Sequence, residues 1–482
     1  MVFCEERGND MTYRTLSRRR FLGAAAVGAA ASCVTATRTI AAPPEIRYEP
    51  VWESLDSHQC PEWFRDAKIG MYFHWGVSSV PGWAPRVGGT PYAEWYWHSM
   101  EDERNPTWTY HRATYGEKFA YDDFLPMFRA ERYRPEDWIA FAKRAGARYV
   151  FINAKHHDGF CLWPSRYTRR TAFRMGPKRD LIGPFVKAAR KENLKVGFYY
   201  SFYEWYNPLY TGKVFPYTGL IFLRNYVDDF MAPQVRELID LYRPDFLYFD
   251  GEWDHPADFW KSRELTAYFY NRAAEQGREV MVNDRFGKGE RGRHGDVYNV
   301  EYEFGTENEG LLTHPWSYWR GIAKTFGYNR DTDPEDCLSA GELIRMLVNG
   351  VSRNGNFDIN VGPTAEGVIT GLERQPLEAL GVWLEVNGEA IYGARPWTIP
   401  AEGNIRFTAR GEHVYAIFLK WEGERFRIRS LRAAEGSAVT MLGVPVSLKW
   451  RRENEGMSIE FPLHLSRPSQ CSYAWAFRVR HA

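Results

Sequence analysis

The chain is 482 residues long, enough for one large domain and a smaller one, each with its own core. Its 62 Lys and Arg nearly cancel its 61 Asp and Glu, and a net charge of +1 provides no global field for nucleic acid or an anionic membrane surface. Aromatic residues make up 16% of the chain, a share that suits either an aromatic core or faces that stack on sugar C–H surfaces.

In chain order, Ser17-Arg18-Arg19-Arg20-Phe21-Leu22 comes first, followed by a small apolar run from Gly23 to Ala31 and then Thr39-Ile40-Ala41-Ala42-Pro43. A charged region, a short apolar region and a small-residue cleavage zone describe a signal peptide, expected over residues 1–42. The apolar run is too short to span a bilayer. The arginines before Phe-Leu are similar to a bacterial twin-arginine export signal, so the expected location is periplasmic or extracellular, with no membrane span. Cys33 follows Ala-Ala-Ser but lacks the aliphatic residue that lipid acylation favours three positions earlier. Cys60, Cys161, Cys337 and Cys471 show neither metal-binding spacing nor the density of a disulfide scaffold.

From Ile69, apolar runs alternate with helical patterns, which predicts a parallel α/β architecture. The expected strands are Ile69–Gly76, Arg148–Asn153, Leu194–Ser201, Asp245–Asp250, Glu279–Asn283, Asp296–Glu301, Lys324–Asn329 and Asn356–Gly362. Helices are expected over Pro135–Ala145, Leu181–Asn193, Pro233–Tyr242, His255–Gln276 and Ala340–Ser352, with Pro135 and Pro233 as starts. No full helix is legible between the fifth and sixth strands or between the sixth and seventh. The pattern predicts a distorted (β/α)8 barrel over residues 43–398. Beyond it, short alternating segments at Asn404–Arg410, His413–Lys420, Arg425–Leu431, Ala438–Met441, Met457–Pro462 and Ala474–Val479 predict an antiparallel β-sandwich over 399–482.

Barrel chemistry sits at the carboxyl ends of the strands. Those ends carry His74, Lys155-His156-His157-Asp158, Tyr199, Asp250-Gly251-Glu252, Asn283-Asp284-Arg285, Glu301-Tyr302-Glu303, Tyr328-Asn329 and Asn360. Asp250 closes "PDFLYFDGEW", a run otherwise fit for full burial, where a carboxylate is costly unless paired or functional. It could cap a following helix or attack an anomeric carbon, as a retaining glycosidase requires. A second carboxylate is available at Glu301, Glu303, Glu252 or Glu94. His156 and His157 would face opposite sides of a strand, and reach one site only if the strand has already ended. A metal cage, a proton relay, a sugar-binding wall and a satisfied core pair are all compatible with them, as core packing is with His74, Trp95, Tyr199, Trp205 and Trp316.

Taken together, the segments "WFRDAKIGMYFHWGVSSVPGW", "EWY", "AKHHDGFCLWPSRYT", "GFYYSFYEW", "RPDFLYFDGEW", "VNDRFG", "PWSYW", "LVNGVSRNGNFDINVGPTAEGVI" and "WLEVNGEAIYGARPW" resemble the α-L-fucosidases of glycoside hydrolase family 29, in order, over most of Trp63 to Trp397. The resemblance implies a (β/α)8-like catalytic domain followed by a β-sandwich, and a retaining exo-glycosidase for terminal α-L-fucose on oligosaccharides or glycoconjugates. It implies Asp250 as nucleophile, and His74, Glu94, Trp95, His156, His157 and Tyr199 around the sugar. It also places Arg285 near the catalytic pair and Phe326 against the sugar's C6 methyl. The acid/base segment varies across the family, and here falls on Glu301, with Glu303 as the alternative. Tyr248 stands where the family often has Trp, Phe326 replaces a frequent Trp, and Asp358 interrupts a usually aliphatic strand. No metal, organic cofactor or nucleic acid is implied, and a homo-oligomer stays open. Three other readings remain at this point: a non-catalytic fucose-binding protein on the same scaffold, a metal-dependent hydrolase, and a related exo-glycosidase such as an α-L-galactosidase.

Overall fold

The computed structural model describes residues 47–211, 225–302, 313–462, 464–465 and 472–482. The expected leader over 1–42, the alternative carboxylate Glu303 and Cys471 lie outside them. Among the described residues no helix is long and apolar enough to cross a membrane.

Eight strands, all but β6 largely buried on both faces, form a parallel sheet among the described residues: β1 Ile69–Phe73, β2 Tyr149–Lys155, β3 Lys195–Ser201, β4 Phe246–Asp250, β5 Met281–Val282, β6 Tyr298–Glu301, β7 Trp316–Gly321 and β8 Gly355–Val361. Their order, β5-β4-β3-β2-β1-β8-β7-β6, is that of a (β/α)8 barrel. The two-residue period of each strand splits its side chains between two cores. Outward residues such as Phe73, Ile152, Phe198, Phe249 and Ile359 pack into the larger core. Inward residues form a separate, mostly aromatic cluster that includes Tyr72, Tyr149, Phe151, Tyr199, Phe246, Tyr248 and Trp319.

Closure between β5 and β6 rests on a bridge, Asn283 to Val297, and on one side chain. Asp296 accepts from the Val282 N–H at 2.9 Å and the Tyr270 hydroxyl at 2.7 Å, and its other oxygen lies 2.7 Å from His58 Nδ1. No helix separates these two strands, as the sequence leads one to expect.

Two expectations are corrected. The seventh strand is Trp316–Gly321, not Lys324–Asn329. Trp316 and Tyr318 pack into the larger core and Trp319 into the inner one, whereas Thr325–Gly327 is a loop committed to hydrogen bonds with Glu94. The expected His255–Gln276 helix is two, Ala257–Trp260 and Ser262–Ala274, parted at Lys261 with its left-handed φ of 52°. The remaining expected helices appear within a few residues of their bounds, and a further one spans Gly371–Asn387 after β8.

The second sheet is built from β9 Arg395–Glu402, β10 Ile405–Arg410, β11 His413–Phe418, β12 Arg425–Ile428, β13 Val439–Met441, β14 Ser447–Arg452, β15 Met457–Glu460 and β16 Trp475–Arg480. It is antiparallel, in the order β12-β15-β14-β13-β16-β11-β10-β9, with its own core around Phe407, Phe418, Phe426, Ile459 and Phe477. It is a C-terminal domain of the β-sandwich class. Two of its strands, β9 Arg395–Glu402 and β14 Ser447–Arg452, escape the sequence pattern. β9 is an edge strand carrying two prolines, which a sheet edge tolerates. β14 hides its alternation among exposed charges, burying only Leu448 fully.

Replacing Asp296 with Ala leaves Val282, Tyr270 and His58 without their shared acceptor. The expected loss of unfolding free energy in urea is about 2–4 kcal/mol, and a loss below about 0.5 kcal/mol would show that the β5–β6 seam does not need this side chain.

Candidate active site

Asp250 is the last residue of β4 and shares the inward parity of Phe246 and Tyr248. Gly251 then turns the chain with φ of +75°, and a Cβ there would stand 2.4 Å from that of Tyr203, so no other residue fits. The carboxylate is buried. It accepts from the Tyr199 hydroxyl at 2.5 Å and from Arg285 Nη1, and His157 Nε2 lies 3.8 Å away. The other arm of the guanidinium, Arg285 Nη2, donates to Glu301 and to Asn299 Oδ1, the latter at 2.9 Å. One buried cation therefore joins the carboxylates at the ends of β4 and β6.

The two carboxyls are tuned in opposite directions. Burial works to raise Asp250, but Arg285 and the Tyr199 hydroxyl outweigh it and hold the group below the usual carboxylate range. Burial raises Glu301 and the Asp250 charge adds to this, so the group stays above its ordinary value despite Arg285. A pair split in this way has one member suited to remain ionised and one suited to carry a proton.

The histidine wall forms because β2 stops at Lys155. The Lys155 ammonium turns out of the barrel to Glu204 at 2.5 Å and to the Tyr226 hydroxyl, all of them buried. The next residues lie in a turn closed by the Gly159 N–H on the His156 carbonyl at 3.1 Å. Freed from strand alternation, both imidazoles enter one site. The His156 ring lies 4.7 Å from that of His74 and 5.6 Å from that of Tyr199. His157 Nδ1 is 2.6 Å from Ser201 Oγ, whose own proton goes to the Tyr203 carbonyl. Nδ1 must then carry the ring proton, leaving Nε2 as a lone pair toward the site. Both ring nitrogens of His74 are buried without a protein partner, a state that a hydroxyl-bearing ligand would relieve.

Glu94 and Trp95 come from a short turn after β1. Glu94 accepts from Thr325 Oγ1 at 2.9 Å and the Gly327 N–H at 2.8 Å, which holds the loop that carries Phe326. The Phe326 ring stands 6.3 Å from His74 and 5.1 Å from Trp319, and Trp95 meets His157 and Trp205 edge-on at 5.3 Å each. His74, Glu94, Trp95, His156, His157, Tyr199, Asp250, Arg285, Glu301 and Phe326 thus form one connected set. Trp316 is not in it. It opens β7 at the far end of the strand, where its indole N–H reaches the Arg353 carbonyl at 2.7 Å. Glu252 is held by Arg291 instead of Arg285. Although three imidazoles converge, among the described residues no group of three or more His, Cys, Asp or Glu could hold a metal ion.

Sequence reasoning passed over Trp253, Trp319 and Asn299. Trp253 packs beside Trp95 and His157 at 6.3 and 5.5 Å, and Trp319 floors the pocket under Phe326 and Arg285. Asn299 lies two residues before Glu301, and that shared strand face was the available signal.

Comparison with known proteins shows the family of the chain and agrees with its fold. The family profile "Alpha-L-fucosidase" matches residues 35–389, and "Alpha-L-fucosidase C-terminal domain" matches 400–480. The human tissue alpha-L-fucosidase is 36% identical over 446 residues, spanning 91% of this chain and 93% of that protein. The alpha-L-fucosidase of Branchiostoma floridae is 34% identical, over 90% of this chain and 96% of its own length. A crystal structure of the Thermotoga maritima alpha-fucosidase in complex with fucose superposes with a TM-score of 0.77 at 37% identity, covering 90% of this chain and 100% of that one. The same enzyme with a mechanism-based inhibitor gives a TM-score of 0.78 at 36% identity, with the same coverage.

The buried imidazoles also set a pH dependence of stability. Burial, reinforced by a neighbouring imidazole in each case, holds His74, His156 and His157 well below their ordinary value of 6.5. Below that value the unfolded chain binds protons that the folded site refuses, so stability falls as the pH drops through 6.5 and is regained above it. Each imidazole contributes a slope of up to ~1.4 kcal/mol per pH unit. In urea titrations between about pH 5 and 7.5, His74→Asn should give a shallower slope than the parent. An identical slope would mean that His74 takes up a proton in the folded state.

Proposed function

We propose that this chain, which belongs to the alpha-L-fucosidase family and hydrolyses α-L-fucose from its conjugates, acts on terminal fucose by double displacement, with Asp250 as nucleophile and Glu301 as acid/base. The observation that carries this reading is the single Arg285 guanidinium bonded to both carboxylates. Retaining glycosidases hold their carboxyls about 5–5.5 Å apart, whereas inverting ones leave room for a water at about 6.5–9.5 Å. Two carboxylates linked through one guanidinium favour the shorter class.

In the first step Asp250 attacks C1 as the bond to the aglycone oxygen breaks, and the Glu301 proton passes to that oxygen. In the second, ionised Glu301 takes a proton from water, which attacks C1 and frees Asp250, so configuration is retained overall. Asp250 held low and Glu301 held high suit these roles. His74, His156, His157 and Glu94 serve the sugar hydroxyls, Trp95 packs on the ring, and Phe326 presents an apolar face to C6. That face supports fucose over galactose, whose C6 hydroxyl would go unpaired there. The catalytic domain runs over 43–398 and the sandwich over 399–482, with export directed by the arginine signal in residues 1–42.

Asp250→Gly should lower turnover of an aryl α-L-fucoside on the order of 10⁴-fold with the melting temperature preserved, and azide should restore turnover as the β-fucosyl azide. Proton NMR of the parent reaction should show the α anomer of fucose first; β-fucose first would overturn the retaining mechanism. Glu301→Gln should cripple hydrolysis of fucosyl oligosaccharides while sparing fucosylation by activated aryl fucosides. If Glu303→Gln gives that pattern instead, the proton belongs to Glu303.

A further inference from the structure

Beneath the two carboxylates the barrel holds a third. Asp358 on β8 is fully buried and faces the interior, where Tyr149 and Tyr248 both donate their hydroxyls to it, Tyr248 at 2.5 Å. Gly70 on the neighbouring β1 leaves the room required, since a Cβ there would stand 2.1 Å from the Tyr149 ring and 2.6 Å from Asp358 Oδ1. Burial pushes the Asp358 carboxyl up to about 6, and the Tyr149, Tyr248 and Ser317 hydroxyls oppose that rise by bonding to its charged form.

An ionised carboxylate only accepts, and this sets the direction of every hydrogen bond that follows. Tyr248 must donate to Asp358, so its oxygen is left to accept. Ser317 Oγ lies 2.9 Å from that oxygen and turns its proton toward the Tyr248–Asp358 side. The remaining lone pairs of Ser317 receive the Asn299 amide N–H at 3.2 Å. Asn299 therefore presents its carbonyl oxygen, not its NH2, to Arg285 Nη2 at 2.9 Å. Tyr248 lies two residues below Asp250 and Asn299 two below Glu301, so the chain of bonds runs one layer beneath the carboxylate pair.

We propose that Asp358 is a positioning residue for the reaction: through Tyr248, Ser317 and Asn299 it fixes the Arg285 guanidinium that joins Asp250 to Glu301. The inference rests on these two being the catalytic pair. Arg285, which only donates, asks the same direction from the other end; with an amide in place of Asp358 the two ends no longer enforce it together, and any reversal sets an Asn299 N–H against a guanidinium that has no lone pair to receive it.

Asp358→Asn keeps the shape and removes the acceptor-only constraint. In that variant kcat on an aryl α-L-fucoside should fall roughly ten- to a hundredfold, the rate equivalent of one misplaced charge-assisted hydrogen bond, with KM changed less than about threefold. Glu301 faces Arg285, Asp250 and Arg291, and Arg285 lowers its pKa. A loosened guanidinium should therefore move the basic limb of the kcat/KM profile to higher pH. Ser317→Ala cuts the chain midway and should shift the same limb, and the double variant should be little worse than Asp358→Asn alone. If Asp358→Asn does not fold, Ser317→Ala carries the test. Folded variants with parental kcat and an unmoved limb would overturn the proposal, as would a lowered melting temperature with no change in the limb. Glu301→Gln run alongside separates the two readings. A basic limb that survives it overturns the acid/base assignment, whereas a limb that it removes but Asp358→Asn leaves in place overturns only the positioning role.

Discussion

A guanidinium that cannot shed its proton governs this site. Arg285 is 1% exposed, and a cation so deeply placed is stable only where anions meet it. Asp250 and Glu301 supply them from strands on either side of the loop that bears Arg285. The same cation leaves its two partners unequal. Asp250 has a second donor in Tyr199, which with Arg285 outweighs burial and holds it below the usual carboxylate range; burial and the Asp250 charge lift Glu301 above its ordinary value. The difference of role between two chemically similar carboxyls thus arises from what else each one touches.

The pocket wall follows from where strands end. A strand sends neighbours to opposite faces, but the register of β2 shifts between Asn153 and Lys155, and Lys155 turns out to Glu204 on the same side as Ala154. One residue later the strand is over, and His156 and His157 both turn inward, their ring centroids 4.0 Å apart. Crowded and desolvated, they stay neutral, which keeps lone pairs as well as N–H groups for hydroxyls. Glu94 works through the loop it gathers, since its carboxylate takes the Thr325 hydroxyl and the Gly327 amide and so holds Phe326 over the pocket.

The barrel interior is mostly aromatic, yet beneath the site it also holds the Asp358 carboxyl. Asp358 is tolerated because Tyr149 and Tyr248 bring hydroxyls to it and Gly70 leaves space. Tyr248 and Asp358, two positions at which the resemblance leads one to expect a departure from the family pattern, are bonded to each other in the fold.

The sequence by itself determined the parallel barrel, most of its strands, the carboxylate ending β4 and the presence of an antiparallel domain after it. Those features depend on local periodicity and on polar residues following apolar runs, which need no knowledge of contacts. It did not determine β7, because "PWSYWRG" and "KTFGYN" are both aromatic and only packing on both cores separates strand from loop. Strand alternation alone left His156 and His157 open, because their direction depends on the residue at which β2 ends. Trp316 and Trp319, three residues apart on one strand, went to different cores, a matter of parity that a misplaced strand conceals. Tertiary structure alone decided that Arg285 spans Asp250 and Glu301, and that Tyr248 and Asp358 meet. Each of those contacts joins residues from separate strands, and only closure of the barrel brings them within hydrogen-bonding distance.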